Sequence, residues 1–411
     1  MTGGKSCYRV NAVHTRMYEI ARHHDPVPVT QMSMNASAVS ATPADQLQLA
    51  HASLRSGQLG AAASTLRSLL RVQPQSALGW LVLGDTLDRA GLKRDAIRAR
   101  AAALRHGRSA GWFRNMETTP EPWRPVIKDL IADVNRQLYD TVAQGLHSVI
   151  ATHGATPMRR VAHAMNVFIG RVQDRPYSPH QAPKFLFFPG LEEGPFHDPN
   201  LHPWSARLVD GYDRIREEAL AVLHDAAALE SFLTFQPGQS KTGYLGGDGA
   251  KPAWDAFFFY RHGKRYDANH ARAPFTSALL EEIERCEIEG QAPEICFSVL
   301  QPGTRIMPHY GVTNTRLVYH LPLLVPEDCA LHVFGGGEHA WREREPVLFD
   351  DTFQHEAWNR SALPRIVLLM DCWNPHLRPE ERSAMRVLVE LISAYQDFGD
   401  PDFERVIAAI G

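Results

Sequence analysis

A chain of 411 residues, 44% of them hydrophobic, is longer than one hydrophobic core usually serves, so two or more packed domains are expected. Its 43 Lys and Arg against 46 Asp and Glu leave a net charge of −3 with no long run of either sign, which argues against nucleic acid as a partner. No stretch reaches the roughly 18 apolar residues of a membrane span, and five scattered cysteines without a CxxC pair read as buried reduced thiols, so a cytoplasmic protein is expected.

In chain order, residues 1–42 have no consistent periodicity and no apolar leader; they are read as a flexible segment, with Met32 and Met34 as alternative starts. From 43 to 116 a repeat is visible. Gly57 and Gly91 are 34 residues apart, as are Ala62 and Ala96, Leu49 and Leu83, and Leu70 and Leu104. That period is the tetratricopeptide spacing, in which each helical hairpin buries a face by stacking on the next. The two readings are a plain helical extension and a platform for a peptide or protein partner. Residues 117–184 read as a helical connector: Pro120 and Pro122 mark a linker, and Ile127, Leu130, Val134, Leu138 and Val142 recur at helical spacing.

Beyond a Pro-, Gly- and His-rich stretch at 176–204 and a helical piece at 206–232, the pattern changes. Short strand-like runs appear at 256–260, 295–300, 315–324, 330–334, 346–349 and 365–372, with one helix near 276–285. Many short strands between turn signals predict a β-sandwich or barrel over 185–395, and a final helix is expected over 396–411.

The chemistry-bearing residues sit in that β region. His309 opens a His-Tyr-Gly block, His355 follows Asp350 and Asp351, and Arg365 stands ten residues past His355. An iron site for oxygen chemistry uses two neutral imidazoles, usually with one carboxylate, and keeps positions open. The carboxylate would stand two residues after His309, where this chain has Gly311. Asp350 and Asp351 are alternative ligands, but a role in orienting His355 is the favoured reading. Gly335 to Gly337 reads as a turn, not a phosphate loop. Arg261, His262, Lys264 and Arg265 around Gly263 are either a solvated hairpin tip or a cationic rim for an acidic substrate.

These blocks, with Phe188-Pro189-Gly190, Pro302-Gly303-Thr304 and Asp371-Cys372-Trp373-Asn374-Pro375, occur in an order and spacing that resembles the aspartyl/asparaginyl β-hydroxylase family over roughly 185–390. The resemblance implies an α+β protein whose helical repeat region precedes a double-stranded β-helix of jelly-roll, cupin-like type. It also implies Fe(II) and 2-oxoglutarate as cofactor and co-substrate. His309 and His355 match the two iron ligands, Gly311 the glycine that leaves a position to water, and Arg365 the arginine that grips the distal carboxylate of 2-oxoglutarate. Ser298 and His320 match further co-substrate contacts, and Arg316 an arginine near the substrate carboxylate. Where the family often has a second arginine, two residues before His320, this chain has Val318. The implied substrate is an Asp or Asn residue in a peptide or protein, or a free amino acid. The alternatives are hydroxylation of a lipid A type acyl chain and a non-catalytic helical-repeat scaffold.

Overall fold

The computed structural model describes residues 42–113, 117–119, 121, 124–225, 228–233, 243–247, 252–396 and 410. All but the last residue of the expected flexible segment 1–42, and all but residues 396 and 410 of the expected C-terminal helix, lie outside this set. The chain divides into two compact units, residues 1–144 with 391–411 and residues 145–390, so the division falls inside the stretch read as a connector. Among the described residues no helix is long and apolar enough to cross a membrane.

The first unit is built from helices α1 (Pro43–Arg55), α2 (Leu59–Val72), α3 (Ala77–Arg89), α4 (Lys93–Ser109) and α5 (Arg124–Gly145). Thr42 starts α1 with a reciprocal cap: its hydroxyl accepts from the Asp45 N–H, while the Asp45 carboxylate accepts from the Thr42 N–H. The turns α1–α2 and α3–α4 are made the same way, with Gly57 at φ +80° and Gly91 at φ +81°, a region that L side chains rarely enter. Ala62, Leu66, Leu83, Leu87, Ala96 and Ala99 form the dry seam between these helices.

The second unit carries helices α6 (His147–His153), α7 (Arg159–Phe168), α8 (Ser205–Asp210), α9 (Tyr212–Leu223), α10 (Asp267–Arg272) and α11 (Pro274–Glu281); helix α12 (Pro379–Gln396) follows the last strand. Its strands are β1 (Phe196–His197), β2 (Glu230–Ser231), β3 (Leu245–Gly246), β4 (Trp254–Arg261), β5 (Lys264–Arg265), β6 (Ile295–Leu300), β7 (Thr304–His309), β8 (Arg316–Leu324), β9 (Cys329–Val333), β10 (Gly337–Ala340), β11 (Val347–Phe349), β12 (His355–Asn359) and β13 (Arg365–Trp373). An eight-stranded antiparallel sheet runs β1-β11-β8-β13-β6-β4-β2 with β5 paired to β4. A five-stranded sheet runs β10-β9-β12-β7-β3. These two sheets, with the helical region before them, make the expected α+β, jelly-roll arrangement.

The large sheet is buried on both faces, which is why β6 is apolar at every position but Ser298. Alternate residues, Phe257, Phe259, Phe297, Val299, Tyr319 and Leu368, pack outward against Tyr212, Ile215 and Ala219 of α9. The intervening Phe258, Cys296, Val318, Val367 and Leu369 point inward with Ile306, Leu331 and Ala357 of the smaller sheet. Each fully buried phenylalanine contributes roughly 1.5–3 kcal/mol through the apolar area it removes from water. Where inward positions turn from apolar to polar, a cavity opens.

Candidate active site

The register of the small sheet brings the two histidines together. His309, last residue of β7, is the direct antiparallel partner of His355, first residue of β12, and their ring centroids are 4.1 Å apart. Each ring is tied to its own strand in the same way. His309 Nδ1–H donates to the Met307 carbonyl at 2.8 Å and His355 Nδ1–H to the Phe353 carbonyl at 2.9 Å. Only a protonated Nδ1 can make that bond, so each neutral ring keeps its lone pair on Nε2. Burial, aided for His355 by His309 beside it, holds both rings below the usual imidazole range, His355 down to about 3. Both are therefore neutral at pH 7, the state a metal requires.

Carbonyl oxygens orient His355, and this corrects the expectation that Asp350 or Asp351 would do so. The Asp350 carboxylate is occupied by the Thr352 N–H and hydroxyl and by Gln181, stabilising the turn before β12. Asp351 goes elsewhere. A Cβ placed on Gly311 would stand 2.1 Å from Asp351 Cγ and from one of its oxygens, so the Asp351 carboxyl fills the space that a side chain at 311 would need. Burial raises that carboxyl to about 8. Among the described residues no set of three or more His, Cys, Asp and Glu side chains is arranged to hold a metal.

The histidines line a cavity of about 360 Å³ between the sheets. Its inner end is formed by Ser298 on β6, His320 on β8, Arg365 on β13 and Trp341, which follows β10. Arg365 is 2% exposed, lies 4.6 Å above the Trp341 ring, and reaches Ser298 only at 3.5 Å. Among the described residues its Nε, both nitrogens of His320 and Nε1 of Trp341 have no hydrogen-bond partner. Burial without a counter-charge lowers the Arg365 guanidinium to about 10. An unpaired buried charge is costly, and the unpaired donors of Arg365 and Trp341, with the one N–H of neutral His320, make a site shaped for a bound anion. Trp341 carries no sequence signal beyond following a glycine-rich turn. Trp254, whose Nε1 donates to Ser298 Oγ at 2.9 Å, fixes that hydroxyl.

Arg316 lies at the opposite end of the same cavity, with its Nη1 donating to Asp371 Oδ2 at 2.7 Å. The hairpin tip is likewise matched: Arg261 faces Glu230, His262 faces Glu294, and Arg265 faces Glu281 and Asp267. Three of the four cations of the β4–β5 turn are thus matched by carboxylates, and the fourth, Lys264, lies 5.8 Å from the Tyr266 ring centre. Val318, two residues before His320, is apolar wall beside Leu369.

This geometry sits in a recognisable stretch of sequence, for residues 210–375 match the family model described as aspartyl/asparaginyl β-hydroxylase. Over these residues the chain is similar to that family. The human aspartyl/asparaginyl β-hydroxylase is 31% identical over 201 residues, which cover 48% of this chain and 25% of the human protein. An ornithine lipid ester-linked acyl 2-hydroxylase from Rhizobium tropici is 30% identical over 197 residues, covering 47% of this chain and 66% of that protein. The matched residues span 25% of the first of these relatives and 66% of the second. A Pseudomonas putida prolyl-4-hydroxylase structure covers 41% of this chain and 98% of its own at 15% identity, with a TM-score of 0.25, too slight a likeness to bear on the site.

Proposed function

We propose that this chain is an Fe(II)- and 2-oxoglutarate-dependent hydroxylase acting on an unactivated carbon, most simply the β-carbon of an Asp or Asn residue in a peptide or protein, or of a free amino acid. The observation that carries this is the pairing, in one cavity, of two neutral imidazoles with uncommitted Nε2 atoms and a buried guanidinium that has no counter-ion among the described residues.

His309 and His355 would hold the iron through Nε2, and the residues present fit that role because their Nδ1 atoms are already committed to backbone carbonyls. Arg365 would bind the distal carboxylate of 2-oxoglutarate, with Ser298 and His320 as further partners. Bound iron would supply the oxygen chemistry that the side chains lack. The protein's part is to orient: Trp341 holds Arg365 from one face, Trp254 holds Ser298, and the apolar wall of Val318, Leu331 and Leu369 excludes water. The Asp351 carboxyl fills the space beside Gly311, two residues past His309, and lines the same cavity.

In this reading 185–395 is the catalytic domain, and the helical pairs at 43–116 are an accessory platform able to take a protein partner. A second reading, hydroxylation of an acyl chain, is supported by the Rhizobium tropici relative's described substrate and by that apolar wall. The test is succinate formation from 2-oxoglutarate with added Fe(II). We expect turnover in the wild-type chain and none in His309→Ala or His355→Ala, both still folded by circular dichroism. Iron-dependent succinate formation surviving in both variants at the wild-type rate would sink the assignment, and its absence from the wild-type chain would favour a non-catalytic scaffold.

A further inference from the structure

The inward rows of the large sheet form a ladder that runs the length of the cavity. On β13, Arg365, Leu369 and Asp371 share the inward face, as do Arg316, Val318 and His320 on β8. Six residues of strand separate Arg365 from Asp371, about 20 Å at about 3.3 Å per residue, so the same sheet presents two chemically distinct ends. The cavity is marked as a ligand chamber by His320 and Arg365, both more than nine-tenths buried, lining it, and carrying nitrogens without partners.

At the outer end the charges are arranged differently. Asp371 Oδ2 accepts from Arg316 Nη1 at 2.7 Å and from the Glu294 N–H at 3.1 Å. Glu294 Oε1 accepts from the His262 N–H at 2.8 Å and lies 2.8 Å from His262 Nδ1. Glu294 and Asp371 both line the cavity, and among the described residues neither Glu294 Oε2 nor Asp371 Oδ1 receives a hydrogen bond. With Asp351 also in the lining, three carboxyl groups face one arginine whose charge Asp371 already matches. Lys184, exposed beyond the lining, is the further cation that bears on Asp351.

Taking the hydroxylase reading as given, we propose that the outer chamber, through Glu294 and Asp371, selects a substrate that presents a hydrogen-bond donor, a primary amide or an ammonium group, and disfavours one that presents a carboxylate. A carboxylate entering here would have to meet Glu294 and Asp371 at close range, with no unmatched cation among the described lining residues of this end. An amide or ammonium N–H finds two acceptor oxygens. The apolar wall at Val318 adds the second half of the selection, because it withholds the guanidinium that would otherwise clasp an acid.

Charge-selective labelling of a thiol placed in the outer chamber tests this without any substrate in hand. Val312 is 40% exposed and lines the cavity, so Val312→Cys is the first reporter, with Gln291→Cys as a second should the first fail to fold. Each variant is treated with a cationic (trimethylammonium-ethyl) and an anionic (sulfonatoethyl) methanethiosulfonate, and the rate ratio is compared with that of free mercaptoethanol. The unsubstituted chain serves as the blank. The cationic reagent should be favoured by roughly fivefold or more over the small-thiol ratio, and Glu294→Gln in the same background should pull the ratio back towards it. A ratio equal to the small thiol's, or one favouring the anionic reagent, overturns the proposal. Succinate formation by the same preparations reports on the underlying hydroxylase: its loss, with the labelling ratio intact, would count against that function and leave the charge selection standing.

Discussion

Two arginines line one cavity and are handled in opposite ways. Arg316 and Arg365 face the same interior, yet Arg316 has Asp371 at 2.7 Å, whereas Arg365 has an indole face and a serine at 3.5 Å. A buried ion pair is internally complete, and breaking it leaves a stranded charge. A buried cation with no counter-ion is held in place by the surrounding fold and becomes complete only when an anion arrives. The difference separates an arginine that belongs to the protein's own electrostatics from one that belongs to a ligand.

The largest effect expected from this contrast is on co-substrate binding. Arg365→Ala should raise the apparent 2-oxoglutarate constant well over tenfold, since removing one partner of a desolvated ion pair costs about 2–5 kcal/mol. Arg365→Lys, which keeps the charge but loses the fork, should fall between. Arg316→Ala should leave that constant within about twofold, because its charge serves Asp371. Equal effects of the two alanine variants in a 2-oxoglutarate titration would erase the distinction.

Stability should respond with the opposite sign. In the absence of ligand Arg365→Met removes an uncompensated buried charge, so its thermal midpoint should rise by a few degrees, while Arg316→Met should lower it by stranding Asp371. Added 2-oxoglutarate with a divalent metal should raise the wild-type midpoint and not that of Arg365→Met. Differential scanning calorimetry, run with and without the additions, distinguishes the two residues.

A third expectation concerns Gly311. Because the Asp351 carboxyl occupies the space of a side chain at 311, Gly311→Ala should destabilise the fold by about 1–3 kcal/mol, the usual cost of overpacking. Combining it with Asp351→Gly should recover part of that loss. A Gly311→Ala chain as stable as wild type in urea melts would mean that Asp351 yields its place freely.

The smallest effect is the pH dependence of the outer end. Burial first, then Asp371, raises Glu294 from the ordinary carboxylate range to about 7. The folded state therefore holds a proton that the unfolded chain has released. This contribution to stability is fully present below about pH 4.5 and is lost as pH rises through about 7. Glu294→Gln should flatten that decline between pH 5 and 8, and an unchanged slope in melts at those pH values would remove Glu294 as its source.

Much of the β region was legible from residues alone. The runs at 256–260, 295–300, 315–324 and 365–372 correspond to β4, β6, β8 and β13, because both faces of the large sheet are covered and its strands are nearly all apolar. The expected helix near 276–285 corresponds to α11, which Pro274 starts and which ends at Glu281; α10, just before it, is not among the expected elements. Neither β7 nor β12, the strands that carry His309 and His355, stands among those runs. Thr304 to His309 is polar and contains Pro308, and His355 to Asn359 has a glutamate beside its histidine, so the groups that make the site are the ones that blur the strand pattern.

Sequence by itself determined the residue types and their order: two histidines, an arginine ten residues past the second, a glycine where a carboxylate is usual, and a 34-residue helical period. Those are covalent facts, and spacing along the chain is enough to read them. Only the tertiary structure decided which charges are free. Asp371, Glu294 and Trp341 come from three different strands or turns, and whether an arginine meets a carboxylate or an indole depends on which strands the sheet places side by side. That is a matter of register, and register is set by the packing of both faces of the sheet together.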